Sequence, residues 1–95
     1  MSELAVKRRL RAWKRRIATD LTLSGYDVET YETSIFHVSG TRGRACRKIR
    51  ICFGYTNSDE TRSVARTKVQ PNCIREIWQI SDDGREIVKA KITAT

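Results

Sequence analysis

FHVSGTRGRACRKIRICF, residues Phe36 to Phe53, reads as two short strands joined by a basic turn that contains glycine, and it holds no carboxylate. Its second half, RKIRICFG from Arg47 to Gly54, places Ile49, Ile51 and Phe53 on one face of a strand and Lys48, Arg50 and Cys52 on the other. That strand is predicted to carry one core face and one basic face. Gly40 and Gly43, with Thr41 and Arg42 between them, are expected to form the loop. Arg42, Arg44, Arg47, Lys48 and Arg50 crowd a nine-residue span, where anions are expected to dock. The plainer alternative is an exposed strand edge whose charges discourage pairing.

Outward from this segment the hydrophobic period changes. Towards the N-terminus, YDVETYET (Tyr26 to Thr33) is rich in β-branched and aromatic residues, and SIFHVSG (Ser34 to Gly40) alternates Ile35, His37 and Ser39 against Phe36 and Val38. Two antiparallel strands turning near Thr33-Ser34 are expected. Before them Val6, Leu10, Trp13, Ile17 and Leu21 recur every three or four positions, which predicts an amphipathic helix from Leu4 to about Leu23. Ser2 and Glu3 suit its start, and Ser24-Gly25 its end. Lys7, Arg8, Arg11, Lys14 and Arg15 occupy its other positions and are predicted to form a basic, solvent-facing stripe. Towards the C-terminus, NSDETRSVARTKV (Asn57 to Val69) opens on capping and acidic residues and has Arg66 and Lys68 near its end, as a helix dipole favours. Pro71 closes this second helix. IREIWQI (Ile74 to Ile80) and REIVKAKI (Arg85 to Ile92) then flank the turn SDDG (Ser81 to Gly84) as a hairpin. The expected fold is α/β (α+β), in the order α-β-β-β-α-β-β: a mixed central sheet with flanking helices in two or three layers, forming a single domain over residues 1–95.

Charge narrows the class of partner. Residues 1 to 16 carry seven Lys or Arg against one Glu, and the remaining 79 carry twelve against ten, so +6 of the net +8 lies at the N-terminal end. A patch of this kind fits a polyanion, because each phosphate gripped by Lys or Arg releases condensed counterions; the bland alternative is a solvated helix face. No run approaches the roughly 18–20 apolar residues that span a bilayer, and a membrane partner is not expected. Lys7, Arg8 and Arg9 are not followed by the apolar run of a secretion signal, so a cytoplasmic location is expected. Cys46, Cys52 and Cys73 are odd in number and lack CxxC spacing, which signals neither a disulfide framework nor a zinc ribbon; buried thiols are expected.

The element order, the step SGYDVETY out of a basic helix and the Trp-bearing strand REIWQI resemble the PD-(D/E)XK nucleases, the group of restriction enzymes and small Holliday-junction resolvases. The resemblance implies a restriction-endonuclease-like sheet and a divalent-metal site held by an Asp on the second strand and a Glu and Lys on the third. Those positions fall at or near His37, Arg50 and Cys52, and none of the three residues is retained. A hard cation needs carboxylate oxygens, and Arg50 would repel it. The resemblance therefore implies a degenerate site, with no catalytic residue, metal or cofactor.

The reading that follows is a non-catalytic nucleic-acid-binding domain, with double-stranded DNA favoured over RNA and little sequence specificity, because no motif for base readout is present. One alternative is a Mg²⁺-dependent nuclease or resolvase with a displaced site drawn from Glu29, Glu32, Asp59 and Glu60. Another is a protein-interaction or regulatory module of a phage or mobile element, recognised by a stable protein partner. Resolvase-like folds often pair, which points to a homodimer.

Overall fold

The computed structural model describes residues 2–54 and 58–93. Helix α1 spans Glu3–Leu23. Ser2 caps its start, its side chain accepting a hydrogen bond from the Ala5 amide at 3.1 Å. At the other end Gly25 takes φ +89°, the Gly25 amide donates to Thr22 O and the Tyr26 amide to Leu21 O, each at 3.0 Å. This paired closure suits glycine after a helix, and it brings Tyr26 back against Leu21.

Five strands follow in one sheet of order β1-β2-β3-β4-β5: β1 Asp27–Thr30, β2 Val38–Arg42, β3 Ala45–Phe53, β4 Cys73–Ile80 and β5 Ile87–Ile92. Helix α2, Ser58–Arg66, connects β3 to β4, and that pair is parallel while the other three are antiparallel. The protein is thus α+β with the expected element order. Alternation on β3 holds: Ile49 and Ile51 pack with Trp13, Ile17 and Leu21 of α1, whereas Cys52 packs with Val64 of α2. The neighbouring strand repeats the division, Trp78 and Ile80 facing the α1 side and Ile77 the α2 side. The sheet is therefore a middle layer between two helices.

Several details differ from expectation. The predicted tight turn at Thr33-Ser34 is instead a longer connection over 31–37. Side chains satisfy its backbone: Lys14 Nζ donates to Tyr31 O, Arg50 Nη1 to Ile35 O, and Ser34 Oγ accepts from the Phe36 amide. Gly40 lies in β2 rather than in the loop, and the turn is only Gly43-Arg44, with Gly43 at φ +59°. A Cβ at Gly40 would approach Tyr26 to 3.2 Å and Leu21 to 3.3 Å, so the helix end settles onto the sheet where a side chain is missing. Finally, Cys46 and Cys73 form a disulfide, contrary to the expectation of buried thiols. They are register partners on β3 and β4, a neighbourhood that a sequence separation of 27 does not reveal. Cys52 is buried and outside any disulfide. Helix α2 ends at Arg66, three residues before the expected Val69, and Asn57 lies outside the described residues.

Candidate nucleic-acid interface

Helix α1 divides its cations by the side of the cylinder on which each falls. Arg8, Arg11 and Arg15, spaced i, i+3 and i+7, are exposed and make no contact with a carboxylate among the described residues. Lys7 is exposed and reaches Glu3 at 3.7 Å, a surface pair of small value. Arg9 and Arg16 belong to the opposite flank: Arg9 donates to the carbonyls of Ser81 and Asp82 and lies 4.2 Å from the Phe53 ring centre, and Arg16 covers Trp13 at 4.5 Å. Lys14 departs from the solvent-facing stripe. It is 8% exposed, its ammonium donates to Tyr31 O at 3.1 Å, and it lies 3.8 Å from Glu32. Its spacing from Leu10, Ile17 and Leu21 was the available signal, since four residues and three residues lead to the same side of a helix.

The strand cations have mostly turned inward. Arg47 makes a two-pronged bond to Glu76 at 2.7 and 2.8 Å, and Glu76 also accepts from Trp78 Nε1 at 3.2 Å. The carboxylate holds the Arg47 guanidinium above its ordinary pKa. Arg50 donates to Glu60 Oε1 at 3.0 and 3.2 Å and to Ile35 O at 2.8 Å. Lys48 is half-buried, 5.8 Å from the Tyr31 ring centre. Arg42 is exposed but donates to Ser24 O at 2.8 Å and stacks 4.6 Å from the Tyr26 ring. Of the five, Arg44 alone presents a guanidinium with no partner among the described residues.

His37, Arg50 and Cys52 do gather in space, around a residue the sequence reading did not assign to them. Glu60, from the first turn of α2, receives Arg50 and, at 3.2 Å, the Cys52 thiol. His37 Nδ1 accepts from the Ile51 amide at 2.8 Å. Burial, then the charges of Arg50 and Lys14, lower the His37 pKa from 6.5 to about 4. The imidazole is thereby neutral near pH 7, with its acceptor nitrogen committed to the backbone.

The carboxylates considered for a displaced metal site are dispersed. Glu29 accepts from Tyr31 OH at 2.8 Å; burial and then this bond raise the Tyr31 pKa. Glu32 lies beyond the end of β1, beside Lys14, Asp59 is 3.9 Å from Arg62, and Glu60 holds Arg50. Among the described residues no group of three or more His, Cys, Asp or Glu is placed to hold a metal ion.

Two of the hollows border β1. The larger, about 820 Å³, lies on the α2 side of β1–β3, where Asp27 and Glu29 face Lys48 across Ser39 and Thr41, and is mixed in charge. The other, about 630 Å³, runs between α1 and the end of β1; Arg11, Lys14 and Arg15 line it with Ala18, Thr19, Thr30 and Glu32. No helix of the described residues is long and apolar enough to cross a membrane. No family model, curated protein or solved structure matches the chain.

Proposed function

We propose that this chain is a non-catalytic domain that holds nucleic acid, double-stranded DNA before RNA, through its phosphates and with little regard to sequence. One observation carries the reading: Arg8, Arg11 and Arg15 share a stripe of α1, exposed, with no ion-pair partner among the described residues. Within the fold that arrangement is unfavourable. Like charges at i, i+3 and i, i+4 weaken a helix by roughly 0.2–0.5 kcal/mol per pair. The last turn of α1, where the helix dipole favours cations, has none. A cost to the fold with no return inside it is expected of residues that serve an external ligand.

The stripe extends about 10 Å along the helix from Arg8 to Arg15, at 1.5 Å per residue, a reach suited to successive backbone phosphates. Arg44 and Arg42 add cations at the β2–β3 turn. The nuclease-like resemblance supports DNA as the partner and a nuclease-like ancestry, and Glu60 beneath Arg50 is consistent with a site where ion pairing has replaced metal binding. A homodimer and a separate protein partner are further proposals that the same sample can test by size. A cytoplasmic setting suits such a ligand, whereas disulfides such as Cys46–Cys73 persist in oxidising surroundings, so thiol labelling of freshly isolated protein belongs beside the binding test.

The test titrates a labelled duplex with the protein from 50 to 200 mM salt with Mg²⁺ present, and then runs the same samples on a denaturing gel. Intact strands and steep salt dependence are expected. Changing Arg8, Arg11 and Arg15 together to Gln should flatten the log–log slope by about 2.7, or 0.9 for each lost phosphate contact. Absence of binding at low salt would overturn the proposal; cleaved strands would replace it with the metal-dependent nuclease.

A further inference from the structure

The groove between α1 and the end of β1 is built around a buried ammonium. The Lys14 side chain is 10% exposed, yet its nearest carboxylate, Glu32, is 3.8 Å away on a side chain that is 85% exposed. An ammonium has three donors, and 3.8 Å is too long for a hydrogen bond. Among the described residues only the Tyr31 carbonyl, at 3.1 Å, takes one of them directly. Removing a charge from water is costly without close pairing, so Lys14 is under-compensated in this state. Arg11 and Arg15 line the same groove one helical turn apart, Ala18 and Thr19 leave space with short side chains, and Thr30 contributes from β1. Its volume of about 630 Å³ is within the range of small-ligand pockets.

We infer that this groove seats one phosphate group, with Lys14 as its anchor, Arg11 and Arg15 as its arms, and Glu32 as an internal competitor that yields Lys14 when phosphate enters. The inference deepens the duplex-holding reading by naming the point where the nucleic-acid backbone is fixed. The phosphate comes either from a diester within a strand or from a monoester at its end.

The first experiment is a ¹H–¹⁵N NMR titration of the full chain with inorganic phosphate, against chloride at matched ionic strength. Saturable shifts confined to residues 11–19 and 30–32 are expected. Glu32→Gln should tighten phosphate about two- to fivefold, the equivalent of one exposed ion pair, and Lys14→Met should abolish saturation. Glu32 is on the surface, so its variant gives a reading even if the Lys14 variant does not fold. Shifts spread over all cations without saturation, or no gain from Glu32→Gln, would overturn the seat.

A second experiment measures a linear duplex with 5′-phosphate or 5′-hydroxyl ends against both proteins. A gain for Glu32→Gln limited to phosphorylated ends assigns the seat to a terminal monoester, and an equal gain on both assigns it to backbone diesters. Saturable phosphate binding without duplex binding would leave the seat standing and remove the duplex reading. Duplex binding without the phosphate response would do the reverse.

Discussion

The segments 7–16 and 42–50 are both dense in arginine and lysine, and the fold treats Arg8, Arg11 and Arg15 of the first and Arg47 and Arg50 of the second in opposite ways. On β3, register against β4 sets Arg47 beside Glu76, and α2 lowers Glu60 onto Arg50. On α1, Arg8, Arg11 and Arg15 make no ion pair among the described residues. The contrast teaches that charge density along a chain does not measure charge available to a ligand. Carboxylates brought by distant elements decide that: they make Arg47 and Arg50 part of the fold, and none among the described residues pairs with Arg8, Arg11 or Arg15.

The sharpest way to break this comparison is to remove one partner from each side. Arg47→Met strands a Glu76 side chain that is 7% exposed, and about 3 kcal/mol of stability should be lost in urea unfolding. Duplex affinity of the folded fraction should stay within about twofold, since the guanidinium is already occupied. A large affinity loss with little destabilisation would place Arg47 in the interface and erase the distinction.

Acid probes the inward-facing cluster next. Unfolded chain takes up the His37 proton near pH 6.5, but folded protein resists until about 4, so this group's contribution is full above 6.5 and is lost as pH falls through that window. The loss should be at most about 3 kcal/mol, and His37→Gln should flatten stability between pH 6.5 and 4. Unchanged pH dependence in that variant would show that the imidazole does not carry the effect.

The smallest effect is the most discriminating. Arg11→Gln relieves like-charge neighbours at positions 8 and 15, so stability should hold or rise by up to about 1 kcal/mol, about 0.5 for each pair, while duplex affinity falls. Measurable destabilisation would mean that the stripe supports the fold after all.

Both helices, the hairpin at Ser81–Gly84 and the alternation along β3 were legible because each rests on local signals: spacing, caps and period; that the predicted basic face of β3 is instead a second core face, with Cys52 packed under α2, was not. The connection over 31–37 was not, because Lys14 and Arg50 satisfy its carbonyls from elements distant in sequence. The disulfide and both arginine–glutamate pairs depend on the parallel register of β3 with β4 and on where α2 lands, and neither follows from a linear pattern. One trace of them was present. Glu76 alternates with Trp78 and Ile80 on the inward face of its strand, a position where a carboxylate requires a buried cation.

The parallel seam also bears on how the chain finds its fold. β1–β2, β2–β3 and β4–β5 join strands that follow one another directly, while β3–β4 must bring its first rung together across the α2 crossover. Such distant closure slows folding. Cys46 and Cys73 are that first rung. Once oxidised, an unfolded chain keeps the two strand starts joined, with a loop-closure advantage of about 3–4 kcal/mol. What is a search for the reduced chain becomes, for the oxidised one, a zipping from a knot already tied.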